Sequence, residues 1–312
     1  MTDRVYVLGA GAIGLALAAH LKLEHRDVLL VRTSRDDVAE EAITISMKTA
    51  EDKLAKVTAT MVSLEKKDSL DGIVVIASKA YANEPIAKKL SRKKLSSPLV
   101  VMQNGLGVEQ PFLKAGFSEI YRCILFSTSQ RLDEFVIQFR PVTASPIGIV
   151  RGDSQNLQKI VDTLNTPGFQ FSAEAQIQEK IWQKAILNSV FNSICPLLEV
   201  DNGIFHRDGD VAQIALEVMK ECISVASAIG INLDIDELQQ QMLTISRAAD
   251  GQLISTLQDI RNRRETEMNS LNMEIARIAE EQDPIVQVDK TRLLGEMILL
   301  KSKISRSRSN SE

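Results

Sequence analysis

The chain has 312 residues, 44% of them hydrophobic, which is enough to bury the cores of two domains of ordinary size. Its formal net charge of −4 argues against a nucleic-acid-binding surface, and no apolar run is long enough to cross a membrane. Three scattered cysteines and three dispersed histidines indicate neither a disulfide framework nor a metal site. The first residues lack the apolar core of a signal peptide, so we expect a cytoplasmic protein without membrane or nucleic-acid partners.

The chain begins with a pattern typical of dinucleotide binding. A short apolar run at 5–8 predicts a buried parallel strand, and the turn Gly9-Ala10-Gly11-Ala12-Ile13-Gly14 follows it directly. A helix over 15–23 and a second strand over 28–31 come next. In this context the first glycine permits the tight turn, the second admits a pyrophosphate, and the third lets the helix pack closely on the sheet.

The residues after the second strand select the cofactor. An acid there would bind the ribose 2′-hydroxyl of NAD, but this chain has Arg32-Thr33-Ser34-Arg35, which suits a 2′-phosphate. We therefore expect NADP(H), with Arg32 as its ligand. Asp36 and Asp37 are interpreted as acids in the first turn of a following helix.

Two further strands, predicted over 72–77 and 99–102, each lead into a polar residue. Lys79 follows the first strand and Asn104 the second. Ligands of open parallel sheets bind beyond the carboxyl ends of strands, so both residues are candidates for cofactor binding. A surface lysine and a simple Asn104-Gly105 turn remain the alternatives.

Residues 119–150 alternate between apolar and polar and predict antiparallel strands, followed by a helix over 156–164 and a strand over 169–171. The composition is helical from about residue 176. The fold class is therefore α/β. We expect a Rossmann-type, doubly wound parallel sheet at 1–174, a second, all-helical domain at 175–304, and a disordered tail at 305–312.

The most informative stretch of the second half carries Lys184, Asn188 and Asn192. Residues four apart on a helix share one face, so this spacing forms a polar stripe. The other faces are apolar and predict a helix buried nearly all round. An unpaired amine and two carboxamides are costly to bury, so the stripe is expected to face a polar ligand, although an exposed stripe on a core helix is the alternative.

Ser255 and Glu267 allow two interpretations. The sequence Ser255-Thr-Leu-Gln258 has the form of a capping box, which would open a helix that continues through Ile275. On such a helix Ser255 and Glu267 would lie about 120° apart, so periodicity alone does not align them. Without further information Ser255 would be a cap, Glu267 a solvated acid, and Asn202-Gly203 a turn.

Taken together and in this order, these motifs resemble those of the ketopantoate reductases, or 2-dehydropantoate 2-reductases, over roughly residues 4 to 303. The residues that carry the resemblance are the glycine turn, Lys79, Asn104-Gly105, Lys184-x3-Asn188-x3-Asn192, Asn202-Gly203, Ser255, Leu257-Gln-Asp-Ile-Arg261 and Thr266-Glu267. The resemblance implies a Rossmann domain, a helical domain, and reduction of 2-dehydropantoate by NADPH on the route to pantothenate. Gln252 stands where the family pattern has an asparagine, and the segment 127–132 lacks a histidine found in some members.

The resemblance also implies a role for each matching residue. Lys184 would be the general acid; Asn188, Asn192 and Asn202 would bind hydroxyl and carbonyl groups of the substrate, and Ser255 its carboxylate. Glu267 would lie by the cofactor and Lys184, while Lys79 and Asn104 would contact NADPH near its reactive end.

The chemistry follows from the residues as well. Hydride addition to a ketone builds negative charge on oxygen, which an ammonium stabilises and protonates. Uncharged amide donors and acceptors suit a small polyoxygenated acid, and the resemblance implies that this substrate is a 2-oxo acid. The alternatives are a reductase or dehydrogenase of another 2-oxo or a 3-hydroxy acid, and a module that senses NADP(H) without catalysis. The sequence leaves a homodimer open.

Overall fold

The computed structural model describes residues 3–37, 39–48, 54–93, 95 and 97–307. The chain forms two compact units. The first contains the chain up to Gln103 together with Val108–Ile177, and the second contains Asn104–Gly107 together with the chain from Gln178 onward. The second unit thus contains a four-residue loop that interrupts the first, a feature that the expected domain limits did not contain.

The first unit, called here the sheet unit, is built on one sheet of eleven described strands. Its strand order is β11-β10-β7-β6-β5-β1-β2-β4-β3-β9-β8. The strands are β1 (Val5–Leu8), β2 (Val28–Arg32), β3 (Glu41–Lys48), β4 (Leu54–Ser63), β5 (Ile73–Ile76), β6 (Leu99–Val101), β7 (Ile120–Cys123), β8 (Ser127–Asp133), β9 (Val136–Pro141), β10 (Ser145–Arg151) and β11 (Phe171–Ala173).

The centre of the sheet is parallel, from β4 through β2, β1, β5 and β6 to β7. This is the order of a doubly wound dinucleotide-binding sheet, in which successive strands are added first on one side of β1 and then on the other. All four residues of β1 and of β5 are buried, as expected for strands covered on both faces. The predicted fold class is confirmed.

Helices cover both faces of the sheet: α1 (Ala12–Leu23), α2 (Asn83–Arg92), α3 (Gln110–Lys114) and α4 (Ser154–Leu164). Side chains of α1 and α4 join Val5 and Val7 in one apolar core. Side chains of α2 and α3 join Tyr6 and Leu8 in another on the opposite face. The alternating residues of β1 therefore enter two different cores.

The prediction of a helix after Asp36 is wrong. Two strands, β3 and β4, follow instead, because Ile43, Ile45 and Met47 are buried at alternate positions of β3. Asp36 accepts a hydrogen bond from Lys89 Nζ at 2.7 Å, so it pairs with α2 instead of opening a helix of its own.

The strands predicted within 119–150 are present, but they extend both edges of the sheet. Strand β10 pairs antiparallel with β7 near one edge, whereas β8 and β9 pair antiparallel at the other. Strand β9 also runs parallel to β3, with Ser46 opposite Val136.

The second unit, called the helical unit, contains the helix α5 (Ile177–Leu198) apart from its first residue, followed by further helices. These are α6 (Ile204–Arg207), α7 (Gly209–Ala228), α8 (Ile235–Ala248), α9 (Ser255–Arg261), α10 (Asn272–Glu280) and α11 (Asp289–Ser307). Among the residues described, no helix combines the length and apolar character needed to span a membrane.

Two expectations for the helical unit need correction. The helix that begins at Ser255 ends at Arg261, because Arg263 adopts a left-handed backbone with φ of 55°, and Ile275 belongs to α10 instead. The disordered tail predicted from Ser305 is wrong for residues 305–307, because α11 continues to Ser307 and Ser305 Oγ donates to the carbonyl oxygen of Ile260 at 2.7 Å. Residues 308–312 lie outside the described part of the chain.

Candidate active site

The glycine turn joins β1 to α1 in the sheet unit. Gly9 has φ of 115°, and a Cβ there would overlap the backbone of Ser78. A Cβ on Gly14 would overlap the carbonyl oxygen of Gly9, whereas a Cβ on Gly11 would meet no other atom within 4 Å. Gly9 and Gly14 are thus required by the chain's own packing, and Gly11 leaves open space above the turn.

The open space at Gly11 lies at the N-terminus of α1. Gly11 is the N-cap residue and provides no side-chain hydrogen bond, and the first turn contains no acid. The first N–H groups of the helix, together with its dipole, therefore suit an anion. The backbone of 9–14, including Ala10, Ala12 and Ile13, has the form of a pyrophosphate-binding turn.

Arg32 ends β2, as predicted, and its guanidinium already has neighbours. Its Nη2 lies 3.1 Å from Glu134 Oε1, and its carbon Cζ lies 5.9 Å from the centroid of the Phe135 ring. The side chain of Arg32 is 14% exposed and that of Glu134 is 61% exposed. The turn between β8 and β9 therefore holds Arg32 at the end of its strand.

Lys79 lies just beyond the carboxyl end of β5, where it is exposed and precedes a 3-10 helix over Ala80–Ala82. A pair of buried amides lies beside it. Asn83 and Gln103 exchange two hydrogen bonds of 2.5 and 2.6 Å, and Gln103 Nε2 also donates to the carbonyl oxygen of Ser78 at 2.6 Å. The amide pair therefore ties together the chain segments that leave β5 and β6.

Asn104 directly follows this amide pair, yet its loop packs within the helical unit. The amide of Leu106 donates to the carbonyl oxygen of Ser270 at 2.8 Å, and a Cβ on Gly105 would overlap Ser270. The hydroxyl of Ser270 in turn donates a hydrogen bond to the carbonyl oxygen of Glu267 at 2.9 Å. Two predicted cofactor-binding residues, Asn104 and Glu267, thus belong to segments that contact each other.

Helix α5 carries the predicted polar stripe. Lys184 and Asn188 are half-buried, and Asn192 is 5% exposed. The remaining faces are buried, as predicted, by Ile181, Trp182, Ala185, Ile186, Leu187, Val190, Phe191 and Ile194. The amine and the two carboxamides are therefore the polar side of a core helix.

Asn192 joins this helix to the start of α9. Its Oδ1 accepts hydrogen bonds from Thr256 Oγ1 at 2.7 Å, Ser255 Oγ at 3.3 Å and Thr256 N at 3.4 Å, and its Nδ2 donates to the carbonyl oxygen of Asn188 at 2.9 Å. The capping interpretation of Ser255 is wrong, because Ser255 is the first helical residue and Ile254 is the N-cap. The structure instead brings Ser255 to the α5 stripe.

Asn202 lies in a tight turn after α5 and is 8% exposed. Its N–H donates to the carbonyl oxygen of Gln252 at 2.9 Å, and its own carbonyl accepts from Ser246 Oγ at 2.7 Å. Within the described part of the chain, its buried Oδ1 has no hydrogen-bond partner. Such an acceptor is costly to bury, and this suits a donor supplied by a ligand.

Each unit therefore collects its own set of predicted residues. The sheet unit holds the glycine turn, Arg32 and Lys79; the helical unit holds Lys184, Asn188, Asn192, Asn202 and Ser255, together with the loop of Asn104 and the segment of Glu267. Sequence reasoning missed Thr256 and the amide pair. Thr256 was visible only as part of a capping motif, and Gln103 only as the residue before Asn104.

The doubly wound sheet with its glycine turn, followed by a helical unit that carries a lysine and asparagines on one helix, defines the class of Rossmann-type oxidoreductases. Within that class, the chain belongs to the ketopantoate reductase family. The family model "Ketopantoate reductase PanE/ApbA" matches residues 5–150, and the model of the C-terminal part of the same family matches residues 176–294.

A sequence relative agrees with this assignment, and two solved structures share the fold. The chain is 29% identical over 279 residues to a 2-dehydropantoate 2-reductase of Pyrococcus abyssi, which covers 88% of this chain and 91% of the relative. Among solved structures, a dimeric ketopantoate reductase from Staphylococcus aureus has a TM-score of 0.80 at 18% identity, covering 97% of this chain and 99% of that one. D-mandelate dehydrogenase with NADH and anilino(oxo)acetate has a TM-score of 0.83 at 20% identity, with the same coverage.

Proposed function

We propose that this chain is an NADPH-dependent 2-dehydropantoate 2-reductase that reduces ketopantoate to pantoate in pantothenate biosynthesis. The observation that carries the proposal is the polar side of α5, where an amine and two carboxamides interrupt an otherwise buried helix and Asn192 holds Ser255 beside them. Membership of the ketopantoate reductase family supports the same substrate.

The residues of the sheet unit fit a dinucleotide. The turn at 9–14 leaves room above Gly11, and the uncapped first turn of α1 offers N–H groups to a pyrophosphate. Lys79, Asn104 and Glu267 are the proposed contacts nearer the nicotinamide. When bound, the reduced nicotinamide supplies a hydride to the carbonyl carbon of the substrate.

Lys184 is the proposed proton donor. As the carbonyl carbon accepts two electrons with the hydride, the carbonyl oxygen takes a proton from the Lys184 ammonium, and solvent later returns a proton to the amine. The positive charge on Nζ also stabilises the charge that develops on this oxygen. The products are a 2-hydroxy acid and the oxidised cofactor.

The substrate is proposed to lie against Asn188, Asn192, Asn202 and Ser255. Ser255 is exposed, and its hydroxyl, which donates to Asn192 Oδ1 at 3.3 Å in the structure, would turn to donate to the substrate carboxylate. The buried Oδ1 of Asn202 would accept from a hydroxyl group of the substrate. Carboxamides both donate and accept, as a small acid carrying hydroxyl and carbonyl groups requires.

Arg32 is proposed to select NADPH by binding its 2′-phosphate. The substitution Arg32→Ala should weaken NADPH binding about tenfold or more and leave NADH binding nearly unchanged, since only NADPH carries this phosphate. Glu134→Gln is the matched variant, because it removes the negative charge that competes with the 2′-phosphate for Arg32 and should not weaken NADPH binding. Fluorescence titrations of both cofactors measure this preference, and equal losses for the two would contradict the role of Arg32.

A second candidate is reduction or oxidation of another 2-oxo or 3-hydroxy acid with the same cofactor. It is favoured by Gln252, which departs from the family pattern and accepts the backbone hydrogen bond of Asn202. A larger residue beside the Asn202 turn would change the shape of the substrate pocket.

Oxidation of NADPH, followed by absorbance with a panel of acids, tests the proposal. The chain should turn over 2-dehydropantoate with a higher kcat/KM than simple 2-oxo acids or 3-hydroxy acids. Higher turnover of one of the latter would support the second candidate. Tight binding of NADPH without turnover of any acid would indicate a sensor of NADP(H) and would refute both enzymatic proposals.

A further inference from the structure

The turn that carries Asn202 is held by three charged side chains, called here the Arg207 cluster: Asp201, Arg207 and Asp250. Arg207 Nη2 donates to the two carboxylate oxygens of Asp201 at 2.9 and 2.8 Å, and Arg207 Nη1 donates to Asp250 Oδ1. One guanidinium therefore joins two carboxylates that come from distant parts of the chain.

The Arg207 cluster also binds backbone groups. Asp201 Oδ1 accepts hydrogen bonds from the N–H of Gly203 at 2.7 Å and from the N–H of Gly251 at 3.2 Å. Gly203 belongs to the Asn202 turn, and Gly251 to the segment between α8 and α9. A Cβ on Gly203 would overlap the Asp250 carboxylate, so the cluster lies directly against the turn. The turn and the α8–α9 segment are thus fastened to each other beside Asn202.

The charge of Asp201 keeps the cluster closed at neutral pH. The hydrogen bonds from Arg207 lower the pKa of Asp201 to about 2, and the N–H groups of Gly203 and Gly251 act in the same direction. The side chain of Arg207 is 40% exposed, and ion pairs this exposed add little to the stability of a fold. The main effect of the cluster is therefore on the local geometry of the turn.

The hydrogen bonds of Asn202 fix its backbone. Its N–H donates to the carbonyl oxygen of Gln252 at 2.9 Å, and its carbonyl oxygen accepts from the buried Ser246 Oγ at 2.7 Å. Its side-chain Oδ1 is buried, and in the part of the chain that the structure describes it has no hydrogen-bond partner. The position of this acceptor is therefore set by the backbone of the turn.

Ser255, the other proposed substrate contact near this segment, is supported by different residues. Asn192 Oδ1 accepts from Ser255 Oγ at 3.3 Å and from Thr256 Oγ1 at 2.7 Å, and these contacts join α5 to α9. Loosening the Arg207 cluster should therefore displace Asn202 and leave Ser255 in place.

We propose that Arg207 and Asp201 are positioning residues that hold the Asn202 carboxamide where it accepts the hydroxyl group of the substrate, and that they thereby select 2-oxo acids with this hydroxyl. The inference rests on the proposed function, in which the substrate is 2-dehydropantoate and Asn202 binds its hydroxyl group. A site built for a hydroxyl group discriminates against the analogue without it, because the polar atom of the site is then left unpaired. This discrimination is lost when that atom moves out of reach.

Steady-state kinetics with two acids tests this role. Trimethylpyruvate is 2-dehydropantoate with a hydrogen in place of its hydroxyl group, so the two acids differ only in the group that Asn202 would bind. The wild type should prefer 2-dehydropantoate at least about tenfold in kcat/KM. Arg207→Gln should raise KM for 2-dehydropantoate about tenfold with kcat nearly unchanged, and should leave kcat/KM for trimethylpyruvate nearly unchanged.

A matched variant controls for the loss of an ion pair as such. Arg292→Gln removes another partly exposed pair of the helical unit, in which Arg292 Nη2 lies 2.6 Å from Glu280 Oε1. It should leave the kinetics with both acids unchanged. The melting temperatures of Arg207→Gln and Arg292→Gln should both stay within about 3 °C of the wild type.

Asp201→Asn provides a second, milder variant. It keeps an acceptor for the N–H groups of Gly203 and Gly251 but loses the charge that Arg207 binds, so it should reduce the preference for 2-dehydropantoate about threefold. Combined with Arg207→Gln it should cause no further loss, because both substitutions break the same contact. Asp201→Asn carries the test if Arg207→Gln does not fold.

The outcomes separate this inference from the proposed function. If the wild type reduces 2-dehydropantoate but the folded variants lose activity equally with both acids, or with neither, the positioning role is refuted and the proposed function stands. Equal kcat/KM of the wild type for the two acids, or additive losses in the double variant, would also refute the positioning role alone. A wild type that reduces neither acid would refute the proposed function and this inference with it.

Discussion

The proposed binding groups of the two units come from different parts of the chain: backbone groups in the sheet unit and side chains in the helical unit. The sheet unit relies on backbone: its glycine turn permits a close approach, and local sequence alone specifies it. The helical unit relies on side chains from segments far apart, as in the contact of Asn192 with Ser255 and Thr256, which lie more than sixty residues later in the chain. Backbone sites are therefore evident from short motifs, whereas side-chain sites depend on tertiary packing.

The largest expected effect concerns the helical unit. Lys184→Ala should lower kcat by about 10²- to 10⁴-fold, because the proton donor and its charge are both lost. NADPH affinity should change little. Lys220→Ala is the matched control, since Lys220 is an exposed lysine on another helix of the same unit, α7, outside the polar stripe. Stopped-flow measurements and cofactor titration check this, and a Lys184 variant with wild-type kcat would exclude the assigned role.

A second prediction concerns the core of the sheet unit. Burial lowers the pKa of His20 from its usual 6.5 to about 4, and the ring packs edge-on against Phe139. Because the folded pKa lies below the unfolded one, the stabilising contribution is complete above pH 6.5 and is lost as the pH falls from about 6.5 towards 4.

The loss associated with His20 amounts to about 3 kcal/mol at most. Urea unfolding at several pH values, compared between the wild type and His20→Gln, isolates the effect from that of the carboxylates. If the two proteins lose stability in parallel over this range, His20 is not responsible.

Two glycines of the same turn, Gly11 and Gly14, are predicted to have different roles, one in cofactor binding and the other in packing. Gly11→Ala should leave the melting temperature unchanged but weaken NADPH binding about 10- to 100-fold, since the new methyl group occupies only the open space above the turn. Gly14→Ala should instead destabilise the fold, because its methyl group would overlap Gly9. Calorimetry and cofactor titration on both variants distinguish the two roles. A stable Gly14→Ala protein and an unstable Gly11→Ala protein would reverse the assignment.

The smallest predicted effect concerns Thr256, which orients Asn192 and through it supports Ser255. Thr256→Val should raise KM for the 2-oxo acid about tenfold with little change in kcat, and Thr256→Ser should restore it, since serine keeps the hydroxyl group. Steady-state kinetics give the separation of KM from kcat. An equal fall of kcat in both variants would point to a general structural defect instead.

The parts of the fold that were predictable from the sequence are those determined by a few neighbouring residues. The strand at 5–8, the glycine turn and the buried faces of α5 depend on periodicity and backbone freedom, and these survive in any tertiary context. The strands β3 and β4 were missed because two aspartates indicated a helix, and the alternation of Ile43, Ile45 and Met47 outweighed them.

The candidate site was predictable in its residue types but not in its connections. Ser255 looked like a helix cap because the sequence Ser-x-x-Gln fits that motif, yet the chain begins the helix one residue earlier and directs Ser255 to Asn192. The loop of Asn104 likewise packs on Ser270, a contact between residues too distant in sequence for any local pattern to indicate.

The pairing of β3 with β9 has a consequence for synthesis of the chain. Ser46 lies opposite Val136, so β3 presents an open edge until ninety further residues have left the ribosome. Open edges recruit strands of other molecules, and contacts between distant segments form slowly. Fragments that end before residue 136 should therefore aggregate through β3, whereas those that include β9 close this edge with their own chain.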